Sequence, residues 1–186
     1  MVRLGDIAHA LALVNRYGGH STEPYSVAEH SVLVMLCVRD YLERLDTPAD
    51  EQLPILRAAL LHDAGEAYTG DIPTPLKRQI DAHAGGELKR MERRIDAAIC
   101  DRFELDAALL EHPLIKRCDS NHVLAAEILV LLDPVPGDEW APRTYWQRPN
   151  GREPWPGFRR PWWVRLGGWR VARWRFLYHC ARLGIA

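Results

Sequence analysis

The sequence predicts an all-α domain. Apolar residues recur at three- and four-residue spacing through most of the first 132 positions, and helix-start and helix-stop residues bound those stretches. No run of alternating apolar residues is long enough for a sheet, and no internal repeat is present. A chain of 186 residues, 47% hydrophobic and 26% charged, suits one core. No apolar run reaches the ~20 residues that span a bilayer. Residues 1–14 are interrupted by His9 and lack the pattern of a signal peptide. Four scattered cysteines without a C-x-x-C pair read as the reduced thiols of a cytoplasmic protein.

The elements follow in order. Asp6 is expected to cap a first helix that runs to about Tyr17 and stops at Gly18-Gly19. Ser26 and Glu29 make a capping-box pattern, opening a helix to about Leu45. Thr47-Pro48 marks the next start, and residues 53–68 read as one buried helix. Residues 70–75 form a rigid turn, and Thr74-Pro75 caps a helix through about His83. Gly85-Gly86 breaks it. Residues 87–103 are strongly helical, with Leu88, Met91, Ile95 and Ile99 on one face. Residues 113–132 make one further helix. Prolines argue for an irregular loop over 135–163, and residues 169–183 return to helical spacing through Val171, Trp174, Leu177, Tyr178 and Ala181. The expected organisation is a helical core over 1–134, with a loop and C-terminal helix over 135–186 packed on the same domain.

Charge is divided unevenly. The formal net charge is -1, yet residues 140–186 hold ten Arg and one Glu, and all seven Trp lie between positions 140 and 174. One reading is a surface for single-stranded nucleic acid, with arginines on phosphates and aromatics on bases. The favoured reading packs Trp162, Trp163, Trp169 and Trp174 in the core or an oligomer contact, with the arginines solvated or paired with the acidic body.

Chemistry concentrates in residues 59–68. His62-Asp63 alone is uninformative, since eight His and thirteen Asp supply about half such a pair by chance. Glu66, however, lies four residues beyond His62 and three beyond Asp63, so on a continuous helix all three share one face. They follow a strongly apolar run, where buried charges need partners. Imidazole and carboxylate together suit a divalent ion such as Mn, Co, Zn or Fe. One helix cannot enclose an ion. His30, at the start of the second helix, and Asp119, polar within an apolar helix, are the candidate distant ligands. His9 and His122 read as structural.

Five separated blocks resemble the HD-domain phosphohydrolases. They are Arg16-Tyr17-Gly18-Gly19-His20, the stretch from Tyr25 to Ser31, the stretch from Leu61 to Tyr68, Gly70-Asp71-Ile72-Pro73-Thr74-Pro75-Leu76-Lys77, and Ile115-Lys116-Arg117-Cys118-Asp119. The nearest branch comprises bacterial 5'-deoxynucleotidases and phage dATP triphosphohydrolases. The resemblance implies an all-helical HD-domain bundle whose catalytic metal is held by His30, His62, Asp63 and Asp119. It implies acid/base work for Glu66, phosphate and sugar contacts for Arg16 and Tyr17, and a deoxyribose contact for Asp71. Lys77 and Lys116 are candidate phosphate partners, and His20 is a candidate base or phosphate contact. The implied cofactor is one divalent transition metal (Co, Mn, Zn or Fe, with Mg also admitted), with a second ion on the phosphates as an option. The implied partners are a nucleotide substrate and further copies of the chain in a homo-oligomer.

Overall fold

The computed structural model describes residues 2–132 and 153–186. It is all-helical, and among the described residues the sole β-type pairing is an isolated bridge between Asn15 and Ser26. The helices are α1 (Leu4–Leu13), α2 (Val27–Arg44), α3 (Ala49–Leu61), α4 (Glu66–Thr69), α5 (Thr74–His83), α6 (Glu87–Phe103), α7 (Pro113–Arg117), α8 (Leu124–Leu131) and α9 (Trp162–Arg182). No helix among the described residues is long and apolar enough to cross a membrane.

α2 is the central strut. Twelve of its side chains are buried, and α1, α3, α7 and α9 all pack against it. The Ser26 hydroxyl accepts the Glu29 N–H at 3.2 Å, which sets the start of α2 and places His30 in its first turn. Only half of the expected capping box forms, because the Glu29 carboxylate turns to Arg160 instead. Residues 87–103 fold as expected, after Gly85 and Gly86 take positive φ. The buried face of α6 is Ile99, Cys100 and Phe103 at its C-terminal end, while Met91 is exposed. α5 buries no residue, so α5 and the first half of α6 stand out from the core as a hairpin.

Four expectations are corrected. The first helix starts at Leu4 and ends at Leu13, with Arg3 at its N-cap and Asp6 inside the first turn. The chain then makes the Asn15–Ser26 bridge and a tight 3-10 turn over Arg16–Gly19. The helix expected over 53–68 is divided: α3 ends at Leu61 and α4 begins at Glu66. The helix expected over 113–132 contains a π segment, Cys118–Val123, between α7 and α8. Finally, the C-terminal helix starts at Trp162 and bends at Gly168 (φ 54°, ψ -150°).

The face of α9 also differs from the expected one. Ala172, Phe176 and Cys180, at four-residue steps, face the core on α1 and α2, whereas Trp174 and Tyr178 are exposed and stack on each other at 5.6 Å. Trp162 and Trp163 are exposed too. Trp155 is buried, its indole N–H donating to Asp40 at 3.0 Å, and Trp169 packs edge-on against His9. Trp140, Trp146, most of the expected loop and the expected boundary near residue 134 lie outside the described residues.

Candidate metal centre and nucleotide cleft

The end of α3 supplies the first two side chains. Past Leu61 the backbone tightens into bonds of the i to i-3 type: Ala64 N–H to Leu61, Glu66 to Asp63, Ala67 to Ala64 and Tyr68 to Gly65. A 3-10 turn advances about 120° per residue against about 100° in an α-helix. Despite that change of winding, His62, Asp63 and Glu66 line one cleft of about 140 Å³. Thr69, Lys77, Glu92 and Asp96 complete its lining, and the tips of His62 and Asp63 also meet the side chains brought by other elements. Gly65 keeps that wall close, since a Cβ there would stand 2.8 Å from Asp96 Oδ1.

α2 brings His30 to the same point, and the π segment brings Asp119. His30 Nε2 lies 3.5 Å from Asp63 Oδ2 and 3.2 Å from Asp119 Oδ1. His62 Nε2 lies 3.2 Å from Asp63 Oδ2 and 4.0 Å from Asp119 Oδ1. The ligand atoms of His30, His62 and Asp119 all fall within 4.8 Å of one another. π segments occur often at functional sites, because the extra residue re-aims one side chain without ending the helix. Here it carries Asp119.

The donor set suits a cation on a specific structural ground. His62 Nδ1 faces the Ala59 carbonyl at 2.9 Å, so Nδ1 holds the hydrogen and Nε2 is left with a lone pair. His30 Nδ1 faces Glu127 Oε1 at 2.6 Å, with the same consequence. Both Nε2 atoms are buried and lack a hydrogen-bond partner. Two lone pairs and two carboxylates thus crowd one point, an arrangement that a divalent ion relieves. Burial and Arg16 work against the charge on His30, yet without a cation Glu127 and Asp119 outweigh them and push it up to about 10. Its Nε2 then carries a proton, and the lone pair becomes available when an ion displaces it. Burial opposes ionisation of Asp63, but His62, His30 and Arg16 hold it well below the carboxylate range. Asp119 is lowered as well, against its burial, by His30 and His62.

Arg16 joins the centre from the other side. Its Nη1 donates to Asp63 Oδ2 at 3.3 Å, and its Nε is buried without a partner. Tyr17 takes φ 59°, uncommon for a residue with a Cβ. Two bonds hold it there: its N–H donates to Asp71 Oδ2 at 3.0 Å, and its hydroxyl donates to Glu127 Oε2. Burial, then Asp63 and Asp71, push Glu66 up to about 8, and Glu66 Oε2 is another buried atom without a partner. Lys77 reaches toward Glu66 (3.7 Å) and Glu92 (3.1 Å).

Other sequence candidates stand apart. His20 is exposed beyond the turn. Lys116 is about half exposed and pairs with Glu111 at 3.1 Å, and its charge also acts on Asp96 of the cleft. The neighbouring Arg117 donates to His122 at 3.1 Å and lies over Tyr41. His122 is buried and structural as expected, held by Tyr41 and by the Glu153 carbonyl.

Sequence reasoning missed Glu127, Asp96 and Glu92. Glu127 was detectable: an acidic residue within the apolar stretch Ala125-Ala126-Glu127-Ile128-Leu129 meets the same criterion that singled out Asp119.

Comparison with known proteins places the chain among relatives. The chain is 39% identical over 102 residues to Uncharacterized protein YfdR of Escherichia coli (strain K12), covering 55% of this chain and 47% of that relative. It is 40% identical over 110 residues to an uncharacterized protein of Rhodobacter capsulatus, covering 58% of this chain and 51% of the relative. It is 33% identical over 111 residues to the dATP triphosphohydrolase of Cyanophage S-2L, covering 58% and 59%. The chain thus spans about half the length of the curated relatives it matches. Residues 6–122 match the family model described as 5'-deoxynucleotidase YfbR-like, and the chain belongs to that family.

Proposed function

We propose that the chain is a metal-dependent phosphohydrolase acting at the α-phosphorus of 2'-deoxynucleotides. The products are nucleoside and phosphate, as from a 5'-nucleotidase, or nucleoside and tripolyphosphate, as from a dNTP triphosphohydrolase. One observation carries the reading: two imidazole lone pairs and two carboxylates from three stretches of chain meet beside a buried arginine and an acidic cleft. A divalent ion held by His30, His62, Asp63 and Asp119 would supply Lewis acidity to a phosphoryl oxygen and lower the pKa of a water.

The chain's own residues do the rest. Arg16 keeps its charge because Glu127, Asp63 and Asp119 outweigh its burial, and it is available to an equatorial phosphoryl oxygen. Glu66 holds a proton at neutral pH in the cation-free protein, which suits delivery to the departing 5'-oxygen. Lys77, beside Glu66, can neutralise a phosphate or hold Glu66 in place. Asp71 braces the Arg16–Gly19 turn through Tyr17, so its contact with a deoxyribose would also organise that turn. The nucleic-acid reading is weaker, since Arg160 and Arg165 are engaged by Glu23 and Glu29 of the acidic body.

The test is a screen of all deoxy- and ribonucleoside mono- and triphosphates with Mn or Co present and products identified. Metal-dependent release of a deoxynucleoside is expected. Turnover that persists in chelator, or none on any nucleotide, contradicts the proposal.

A further inference from the structure

We infer that Glu127 is a positioning residue that fixes His30 for the cation and ties it to the Arg16-Tyr17 turn. The inference rests on the metal-centre reading above. Glu127 lies on α8 and is fully buried. Its two oxygens are engaged by four groups from two stretches, Arg16-Tyr17 and Tyr25 to His30. Oε1 accepts from the Tyr25 hydroxyl at 2.5 Å and from His30 Nδ1 at 2.6 Å. Oε2 accepts from the Tyr17 hydroxyl, with Arg16 Nη2 at 3.8 Å.

A buried carboxylate in an apolar helix costs stability unless its partners are charged or strongly donating. Arg16 alone does not account for its placement, because that contact is longer than those to His30 and Tyr25. The bond to His30 selects the tautomer in which Nε2 has the free lone pair, and it raises the basicity of that nitrogen. The same carboxylate anchors Tyr17, which is held at positive φ next to Arg16. Any shift of Glu127 therefore disturbs the centre and the adjoining turn together.

The experiment titrates metal-free full-length chain with Co2+, read by visible absorption and by heat of binding. Glu127→Gln keeps size and an acceptor but removes the charge. It is expected to weaken Co2+ binding about 10- to 100-fold and to alter the absorption envelope, with helical content preserved by circular dichroism. Tyr25→Phe, which leaves the carboxylate and its bond to His30, is expected to stay near wild-type affinity. Should Glu127→Gln not fold, Glu127→Asp carries the same test, because the shortened side chain retains the charge but cannot reach His30 and the tyrosines together. Wild-type Co2+ affinity and absorption in either folded variant overturn the inference while leaving the metal centre intact. If the wild-type chain binds no Co2+, the metal-centre reading and this inference both fall.

Discussion

Glu66 and His179 show how burial beside like charges changes what a titrating group does. For Glu66, burial beside Asp63 and Asp71 stores a proton in the cleft. Replacing it with Gln is predicted to lower kcat about 10²- to 10⁴-fold, the usual range for losing an acid/base group, with Co2+ affinity retained. Steady-state kinetics alongside a metal titration checks both. His179, on α9, is lowered to about 4 by burial and by Arg175, Arg39 and Arg182. The unfolded chain takes up that proton near pH 6.5, so between these values the folded state binds fewer protons. Its contribution to stability is complete above about pH 6.5 and is lost as pH falls toward 4. Urea midpoints across that range should drop on the acid side, and His179→Gln should flatten the drop.

Legibility at this scale followed chemistry. His62, Asp63 and Asp119 stand out as polar groups in or after apolar runs, His30 by its place at the start of α2, and the structure brings their tips together. Glu127 meets the same criterion as Asp119, but which groups it binds is not legible, because those partners lie 97 to 110 residues away. No short-range pattern encodes them.

Among the elements, those bounded by local signals were readable. Ser26 opens α2, and Gly85-Gly86 separates α5 from α6. The two elements that shape the centre were not. The tightening at residues 61–66 and the π segment at 118–123 are small changes of winding, set by packing against α2 and invisible to three- and four-residue spacing. α9 was found, but its buried face was misplaced: large aromatics were weighed as core, whereas the smaller Ala172 and Cys180 allow close approach beside Phe176. The C-terminal segment also clamps α2. Arg160 grips Glu29 with two bonds at 2.7 and 3.2 Å, both side chains nearly inaccessible, and donates to the Pro24 carbonyl. Arg160→Ala leaves Glu29 unpaired next to His30. It is predicted to cost about 3 kcal/mol, typical of breaking a buried pair, seen as a lower thermal midpoint. Arg160→Lys restores the charge without the fork and should recover only part.

Across the whole molecule, the opposed charges of body and tail meet where Arg160 and Arg165 cover Glu23 and Glu29. Asp63, Asp119, Glu66, Glu92 and Asp96 gather at the cluster and its cleft, so a phosphate is repelled there until a cation is bound. Among the described residues, Arg16 and Lys77 bring positive charge to the site, with Lys116 acting on Asp96. Nucleotide binding is therefore predicted to be strongly metal-dependent, and equilibrium dialysis of a deoxynucleotide with and without Mn2+ measures it.

The most direct measurement is a calorimetric titration of chelator-treated chain with Mn2+ or Co2+, repeated for Asp119→Ala and His62→Ala. Near-stoichiometric uptake of one ion per chain, lost in both folded variants, is the predicted result. An unmodified chain that takes up no ion, or variants that take it up equally well, would contradict the assignment of the four converging side chains.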